Sequence, residues 1–399
     1  MTHTGPLTDL RVVEMGQLLA GPFAGQLYAD FGAEVIKIEA PGTGDPMRQW
    51  GRERVDGKAL WWSVVARGKK SVTLNLREEE GQQIAKDLIK TADILIENFR
   101  PGTLERWGMS PEVLWEDNPG LIILRVSGFG QTGPMSKQAG YGAIGEAMGG
   151  LRYVTGEPDR PPARAGISIG DTLAAIHAAL GGMMALHHRE RTGKGQVVDS
   201  TLYEAVLNVM ESLVTDYDVS GYIRPRTGSI LPKIAPSNAY PTSEGVDILI
   251  AGNQDTVFAR MAEAMGQPEL AEDPRYKTHA ARGENQAELD EIVKAWTRQH
   301  TAEDVEKIMA EAGVPCGKVY RAPEMLADPH FAAREAIIRI MHPEYGEIAM
   351  QNTAPKMSET PGKVRWVGPE LGEHTNEVLT EVLGKSADDV ADLAERGIV

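Results

Sequence analysis

A single cysteine, Cys316, stands among 399 residues. One thiol cannot close an internal disulfide, and no Cys/His grouping has the spacing of metal ligands. Neither a disulfide scaffold nor a metal centre is expected. Cys316 reads as a small buried apolar residue, with a reactive thiol as the alternative. Positive charge is also scarce: 41 Lys and Arg stand against 57 Asp and Glu, a net charge of −16. Binding nucleic acid requires a basic surface that neutralises phosphates, so that partner is excluded. A local cluster of Arg and Lys can still hold a small anion. No apolar run reaches the roughly 20 residues that a bilayer span needs, so no membrane partner is expected. The most apolar stretch, Thr172 to Leu186, ends in His187, His188 and Arg189 and reads as a buried helix. Histidines at a helix end suit its dipole. The opening residues MTHTGPLTDL lack a basic segment followed by an apolar one, so no signal peptide is expected, and the cytosol is the expected compartment. There is no GxGxxG after the first strand, no GxxxxGK followed by Ser or Thr, no GxSxG and no HExxH. GKGQ, at Gly193 to Gln196, is a turn and not a phosphate loop.

What the chain does have is an alternation of strand and helix signals. LRVVEM (Leu10 to Met15), AEVIKIE (Ala33 to Glu39), ILIEN (Ile94 to Asn98), LIILRVSG (Leu121 to Gly128) and QVVDS (Gln196 to Ser200) are short apolar strands. Continuous apolar runs of this kind suit a parallel sheet buried on both faces. Between them, Ala20 to Gly32 and Glu78 to Ala92 have helical spacing, the second with acids at its N-terminal end. This order argues for a doubly wound α/β domain. Another helix is expected over Leu202 to Leu213. The segment Gly221 to Pro241 is rich in Pro, Gly and Ser and reads as a linker or surface loop. A second unit follows, with a strand at Val246 to Gly252 and helices near Asp255 to Met265 and Gln286 to Arg298. The stretch beyond His330 looks extended, and a last helix covers roughly Glu373 to Leu383.

Glycine-rich joints fall at four expected strand ends: AGPFAG (Ala20 to Gly25), ENFRPG (Glu97 to Gly102), SGFGQTGP (Ser127 to Pro134) and AGNQ (Ala251 to Gln254). Open α/β sheets bind ligands beyond the carboxyl ends of their strands, and glycine allows close backbone approach there. In GISIGDTLAAIHAALGG, Asp171 follows a glycine and precedes an apolar helix. Two readings stand side by side. Asp171 is an N-cap, which stabilises a helix by about 1 kcal/mol. Alternatively it is a carboxylate held as an anion beside helix N–H groups, able to attack a carbonyl.

The motifs LAGPFAGQLYADFGAEVIKIEAPGTGD, RGKKSVTLNL, ADILIENFRPGTLERWGM, SGFGQTGP, AGYGAIGEAMGGL, IGDTLAAIHAALGGMMALHHRERTGKGQVVDSTLYEA and GVPCGKV occur in that order. Together they closely resemble the class III (CaiB/BaiF, formyl-CoA transferase-like) CoA-transferases, from about residue 7 to the C-terminus. Within that family the chain is most similar to the branch that moves CoA between succinyl-CoA and dicarboxylates of the itaconate, mesaconate, citramalate or hydroxymethylglutarate type. The resemblance implies an interlocked homodimer with a Rossmann-like large domain and a smaller α/β domain joined by two long linkers. On that basis residues 1–205 with about 370–399 form the large, CoA-binding domain. Residues 206–228 are a linker, 229–328 the small domain and 329–369 the return linker. The implied active site lies between the large domain of one chain and the small domain of its partner.

The resemblance also implies the chemistry. Asp171 matches the nucleophile, and Gly252 and Asn253 match the loop that would stabilise an oxyanion. Leu74, Asn98, Phe99, Arg106 and Tyr141 match positions lining the CoA cleft. Lys69 and Lys70 are further CoA candidates, with a solvated strand-edge charge as the alternative. No permanently bound cofactor is implied: an acyl-CoA and a small carboxylic acid are the substrates. A distal substrate carboxylate calls for an arginine fork, for which Arg48, Arg52, Arg224 and Arg226 are candidates. Where the formyl-CoA:oxalate branch has a glutamine this chain has Leu19. Where that branch has a glutamate after the tyrosine, it has Gly142, and Ala40 follows VIKIE. These departures point away from oxalate and formate. The rival within the superfamily is an α-methylacyl-CoA racemase, whose histidine base falls at Tyr141; a tyrosine with a pKa near 10 is a poor base. A non-catalytic CoA-binding protein is the rival from another class.

Overall fold

The computed structural model describes residues 5–51, 54–55 and 58–399, without the side chains of 54, 55 and 58. The chain divides into a larger unit, Met1–Leu151 with Ala165–Leu213 and Ala332–Val399, and a smaller one, Arg152–Arg164 with Val214–Phe331.

Six parallel strands build the larger unit: β1 (Arg11–Glu14), β2 (Glu34–Glu39), β3 (Lys69–Thr73), β4 (Ile94–Glu97), β5 (Ile122–Ser127) and β6 (Val197–Thr201). Their order across the sheet is β3-β2-β1-β4-β5-β6, with Val12 opposite Val35 on one side and Ile94 on the other. Successive side chains of a strand point to opposite faces, so an unbroken apolar strand feeds two cores at once. Val13, Ile36, Leu95 and Ile123 face one core, while Val12, Val35, Ile94 and Ile122 face the other.

Helices cover both faces. Helix α1 (Ala20–Asp30) brings Ala24 and Tyr28 to the second core; α2 (Glu79–Lys90) brings Ile84, Ala85, Leu88 and Ile89 to the first. The sequence of α2 explains its place. Its apolar residues recur at helical spacing, with Glu79 and Glu80 in the first turn and Lys90 in the last, where the dipole favours each charge. Burying Leu88 and Ile89 contributes about 1.5–3 kcal/mol apiece. Two C-terminal helices, Thr375–Glu381 and Ala387–Glu395, add Val378, Leu379, Val390 and Leu393 to the same core, so the tail completes the larger unit.

After the short helix α3 (Gly142–Met148) comes α4 (Ile169–Thr192), longer than the apolar run in the sequence suggests. One side of α4 packs into the sheet through Ala174, Ala175, Ala178, Ala185 and Leu186. The other leaves Ile176, Leu180, Met183 and Met184 exposed. The expectation of a buried helix therefore holds for one face only. The helix expected over Leu202 to Leu213 is broken: it spans Leu202–Asn208, and a second begins at Leu213.

The smaller unit carries an antiparallel sheet of β7 (Ser237–Pro241), β8 (Asp247–Ala251) and β9 (Cys316–Lys318), with β8 central. Ile248 and Ile250 turn inward onto Phe258, Met261, Leu289, Val293 and Met309.

The domain boundaries read from the sequence need correction. The larger unit runs to Leu213, and Arg152–Arg164 belongs with the smaller one. Most of the stretch expected as a return linker is part of the larger unit. It forms a hairpin of β10 (Ile337–His342) and β11 (Gly346–Gln351), and Met350, Val364 and Val367 form a small core against Val64. Its backbone is tied down: Arg67 donates to Gln351 O at 2.6 Å, Lys363 N to Asp30 O at 2.8 Å, and Trp366 Nε1 to Lys69 O at 2.9 Å. Proline and irregular spacing make the segment read as a linker, yet these bonds satisfy it against the domain.

Candidate active site

At the centre of the sheet, β1 and β4 are neighbours whose chains leave in opposite directions, one to β2 and the other to β5. Such a switch point opens a crevice beyond the carboxyl ends of the strands. A cavity of about 280 Å³ lies there, and Asp171, Tyr141, Asn98 and Phe99 all line it. Three separate segments of the sequence are thus brought together.

The loop after β1 forms one wall. Asn98 fixes it, accepting Gln17 N through Oδ1 and donating to Gln17 O through Nδ2, both at 2.8 Å. Leu18 takes a left-handed φ of 63°, costly for a residue with a Cβ. Asp45 holds it there, accepting Leu18 N at 3.0 Å. Behind this loop lies a buried charge network. Lys37 Nζ donates to Gly16 O at 2.7 Å and pairs with Glu14 and Asp45, both at 2.8 Å. Lys69 Nζ reaches Glu14 at 2.7 Å and Pro22 O at 2.6 Å. Gly25 makes room for the network: a Cβ there would overlap Glu14 Oε2.

Burial pushes the Glu39 carboxyl up, but its bond to Arg48 and the charge of Lys37 outweigh this and hold it below the usual range. Asp45 is likewise raised by burial and lowered further by the Lys37 charge. Carboxylates depressed in the folded state stabilise it above their unfolded pKa and lose that contribution as pH falls through the folded value. Unfolding free energy is therefore expected to drop once pH falls below about 4. Urea titrations on either side of that pH check it; equal midpoints would contradict it.

None of the other described candidates lines this cavity. Leu74 is a core residue, 1% exposed, and offers no side chain to a cleft. Lys69 is fully buried, neither a CoA contact nor a solvated edge charge. Lys70 points away and pairs with Glu34 at 2.8 Å and Glu377 at 2.7 Å. Arg48 is engaged by Glu39 through two bonds of 2.8 Å and stacks 3.8 Å from the Trp62 ring. Arg106 donates to Thr103 at 2.9 Å and does not line the cavity. Arg52 falls outside the described residues. Arg224 and Arg226 belong to the smaller unit, where Arg224 pairs with Asp216 at 3.4 Å and Arg226 donates to Tyr153 O at 3.0 Å. Gly252 and Asn253 follow β8 in that same unit. The Gly252 N–H donates to Pro236 O at 2.9 Å, so it is not free to stabilise an oxyanion, and Asn253 O accepts from His279 and Arg282.

Sequence reasoning passed over Arg100 and Gln17. Arg100 is exposed, lines the cavity with Asp171 and makes no ion pair among the described residues. It lies within ENFRPG, a motif whose Asn98 and Phe99 were singled out.

Asp171 is the third residue of α4, within its first turn; Ser168 is the N-cap. Asp171 is therefore not the N-cap, and its first-turn position favours a negative charge. The Asp171 carboxylate rests against Gly142, the first residue of α3: a Cβ at 142 would stand 2.8 Å from Asp171 Cγ and closer still to Oδ2.

The model of CoA-transferase family III matches residues 7–375. The chain belongs to this family. Among its relatives is the succinyl-CoA–D-citramalate CoA-transferase of Chloroflexus aurantiacus, 59% identical over 394 residues, covering 99% of this chain and 98% of the relative. The succinate–glutarate CoA-transferase of Agrobacterium fabrum is 37% identical, covering 94% of this chain and 96% of that one. A CaiB/BaiF family protein from Brucella suis has a similar solved structure, with a TM-score of 0.84 and 36% identity, over 95% of this chain and all of the other. As a family III CoA-transferase, the chain acts on CoA thioesters and carboxylic acids, and the cavity at its switch point contains a carboxylate.

Proposed function

We propose that this CoA-transferase moves CoA from succinyl-CoA to a short dicarboxylic acid, with D-citramalate the first acceptor to test, and that Asp171 is acylated on the way. The end-to-end 59% identity to a transferase named for those two substrates carries the reading. The Asp171 carboxylate attacks the donor carbonyl and CoA thiolate leaves, giving a mixed anhydride. Thiolate then attacks the Asp171 carbonyl, releasing the donor acid and leaving an aspartyl-CoA thioester. The acceptor carboxylate attacks this thioester, and the freed thiolate attacks the acceptor carbonyl of the second anhydride. New acyl-CoA departs and the Asp171 carboxylate is restored. The covalent route divides one difficult exchange into easier steps and conserves the thioester.

The test is a mass-spectrometric acceptor panel with succinyl-CoA as donor. Citramalate and related dicarboxylates are expected to yield new acyl-CoA. Strong preference for monocarboxylates such as carnitine or phenyllactate would sink the substrate assignment.

Arg100 is the cation of this reading. A charge-assisted bond to an anion is worth about 1.5–3 kcal/mol, so Arg100→Ala is expected to cost at least about tenfold in kcat/KM. A loss with succinyl-CoA that is much smaller with butyryl-CoA assigns Arg100 to the distal carboxylate. Equal losses assign it to a CoA phosphate, and no loss removes it from the site.

Self-association belongs to the same reading. The exposed apolar side of α4, with Ile176, Leu180, Met183 and Met184, supports it, since exposed apolar patches mark interaction surfaces. Sedimentation is expected to show a dimer.

A further inference from the structure

Helix α3 presents two residues, one turn apart on one face, to the start of α4. Gly142 lies under the carboxylate of Asp171, in the space a Cβ would fill. Glu146, only 1% exposed, accepts Gly170 N through Oε1 at 3.3 Å. Gly170 is also closely packed: a Cβ there would stand 3.0 Å from both Glu146 Cγ and Gly142 O. The two helices therefore meet through Gly142, Glu146 and Gly170 at the turn that carries Asp171.

We propose that Gly142 and Glu146 are positioning residues for Asp171. The proposal rests on Asp171 being the acylated carboxylate. Gly142 sets where that carboxylate stands by having no side chain, and Glu146 fixes the backbone just before it through the Gly170 N–H. Gly142 has no left-handed φ to require glycine. It begins a helix, where alanine is the better former. The three atoms nearest to such a Cβ all belong to the end of the short Asp171 side chain, which is not backbone and can turn. A methyl group at 142 therefore displaces the nucleophile and leaves the fold intact. A misplacement of about 1 Å at a reacting group costs about 100-fold in rate. Glu146 acts differently: glutamine keeps an oxygen to accept the Gly170 N–H, whereas alanine removes it.

The test compares Gly142→Ala, Glu146→Gln, Glu146→Ala and Asp171→Ala in transfer from succinyl-CoA to D-citramalate, with melting temperatures alongside. Gly142→Ala is expected to lower kcat about 100-fold, with KM for succinyl-CoA within about threefold and an unchanged or raised melting temperature. Glu146→Gln is expected to hold kcat within about threefold, while Glu146→Ala loses at least about tenfold. Wild-type kcat in Gly142→Ala, with Asp171→Ala inactive, overturns the role of Gly142. Equal kcat in the two Glu146 variants overturns that of Glu146. Full activity in Asp171→Ala overturns the nucleophile assignment instead, so the two failures are distinguishable.

Discussion

Asp171→Ala lowers kcat of CoA transfer by about 10⁴-fold or more, the scale seen when a covalent nucleophile is removed. Without the carboxylate there is no anhydride, and the remaining residues can only bind the substrates together. Stability changes little, because Asp171 is half-buried at the cavity wall and its favourable place in the first turn of α4 is worth only about 0.3–1 kcal/mol. Asp171→Asn keeps the shape and is expected to be as inactive. Steady-state rates on both variants, with melting curves, separate the loss of chemistry from the loss of fold. An asparagine variant with substantial activity would mean that the carboxylate is not the attacking group.

Lys37→Met unfolds at much lower urea than the wild type, for a reason that lies behind the cavity. The Lys37 ammonium is 1% exposed and sits between two buried carboxylates, Glu14 and Asp45. Burial opposes its charge, but those carboxylates outweigh burial and push its pKa up. Removing one partner of a buried ion pair costs about 3–5 kcal/mol, because the charge left behind has neither water nor a counter-ion. Glu14 keeps Lys69, but Asp45 loses the only cation it pairs with among the described residues. Asp45 also holds Leu18 in its left-handed conformation, so the wall of the cavity loosens and activity falls with stability. Lys69→Met is the milder change: burial pushes that amine down to about 8, so less is lost when its charge goes. Urea midpoints for the two variants check the ranking, and equal midpoints would contradict it.

The contrast between these lysines shows where sequence reading stops. Both lie in motifs that carry the family resemblance, and nothing in a sequence tells a surface lysine from a buried one, since lysine is almost never buried unless paired. Their partners are 23 and 55 residues away in the chain for Glu14, and topology alone brings them together. Arg48 misleads in the same way, because Glu39 and Trp62 claim it. Strands β1, β2, β4, β5 and β6 were legible because each is a short apolar run. Strand β3, KKSVT, was not, because two lysines open it. The final helix was missed although its signal is present: Ser386 and Asp389 form a capping box ahead of Val390 and Leu393. At the site, Asn98, Phe99, Tyr141 and Asp171 were legible through the family resemblance, and the fold brings all four to one cavity. Arg100 was not legible, since only the cavity shows that it shares a wall with Asp171.

The central claim is that Asp171 is acylated, and oxygen tracing tests it most directly. In the route above one acceptor oxygen remains on Asp171 when the new acyl-CoA leaves. Turnover of succinyl-CoA with carboxyl-¹⁸O-labelled citramalate, followed by peptide mass analysis, is expected to find ¹⁸O on Asp171 and, after further turnovers, in released succinate. Label passing into succinate with none on Asp171 would mean direct exchange between the two acids, and the account would fail.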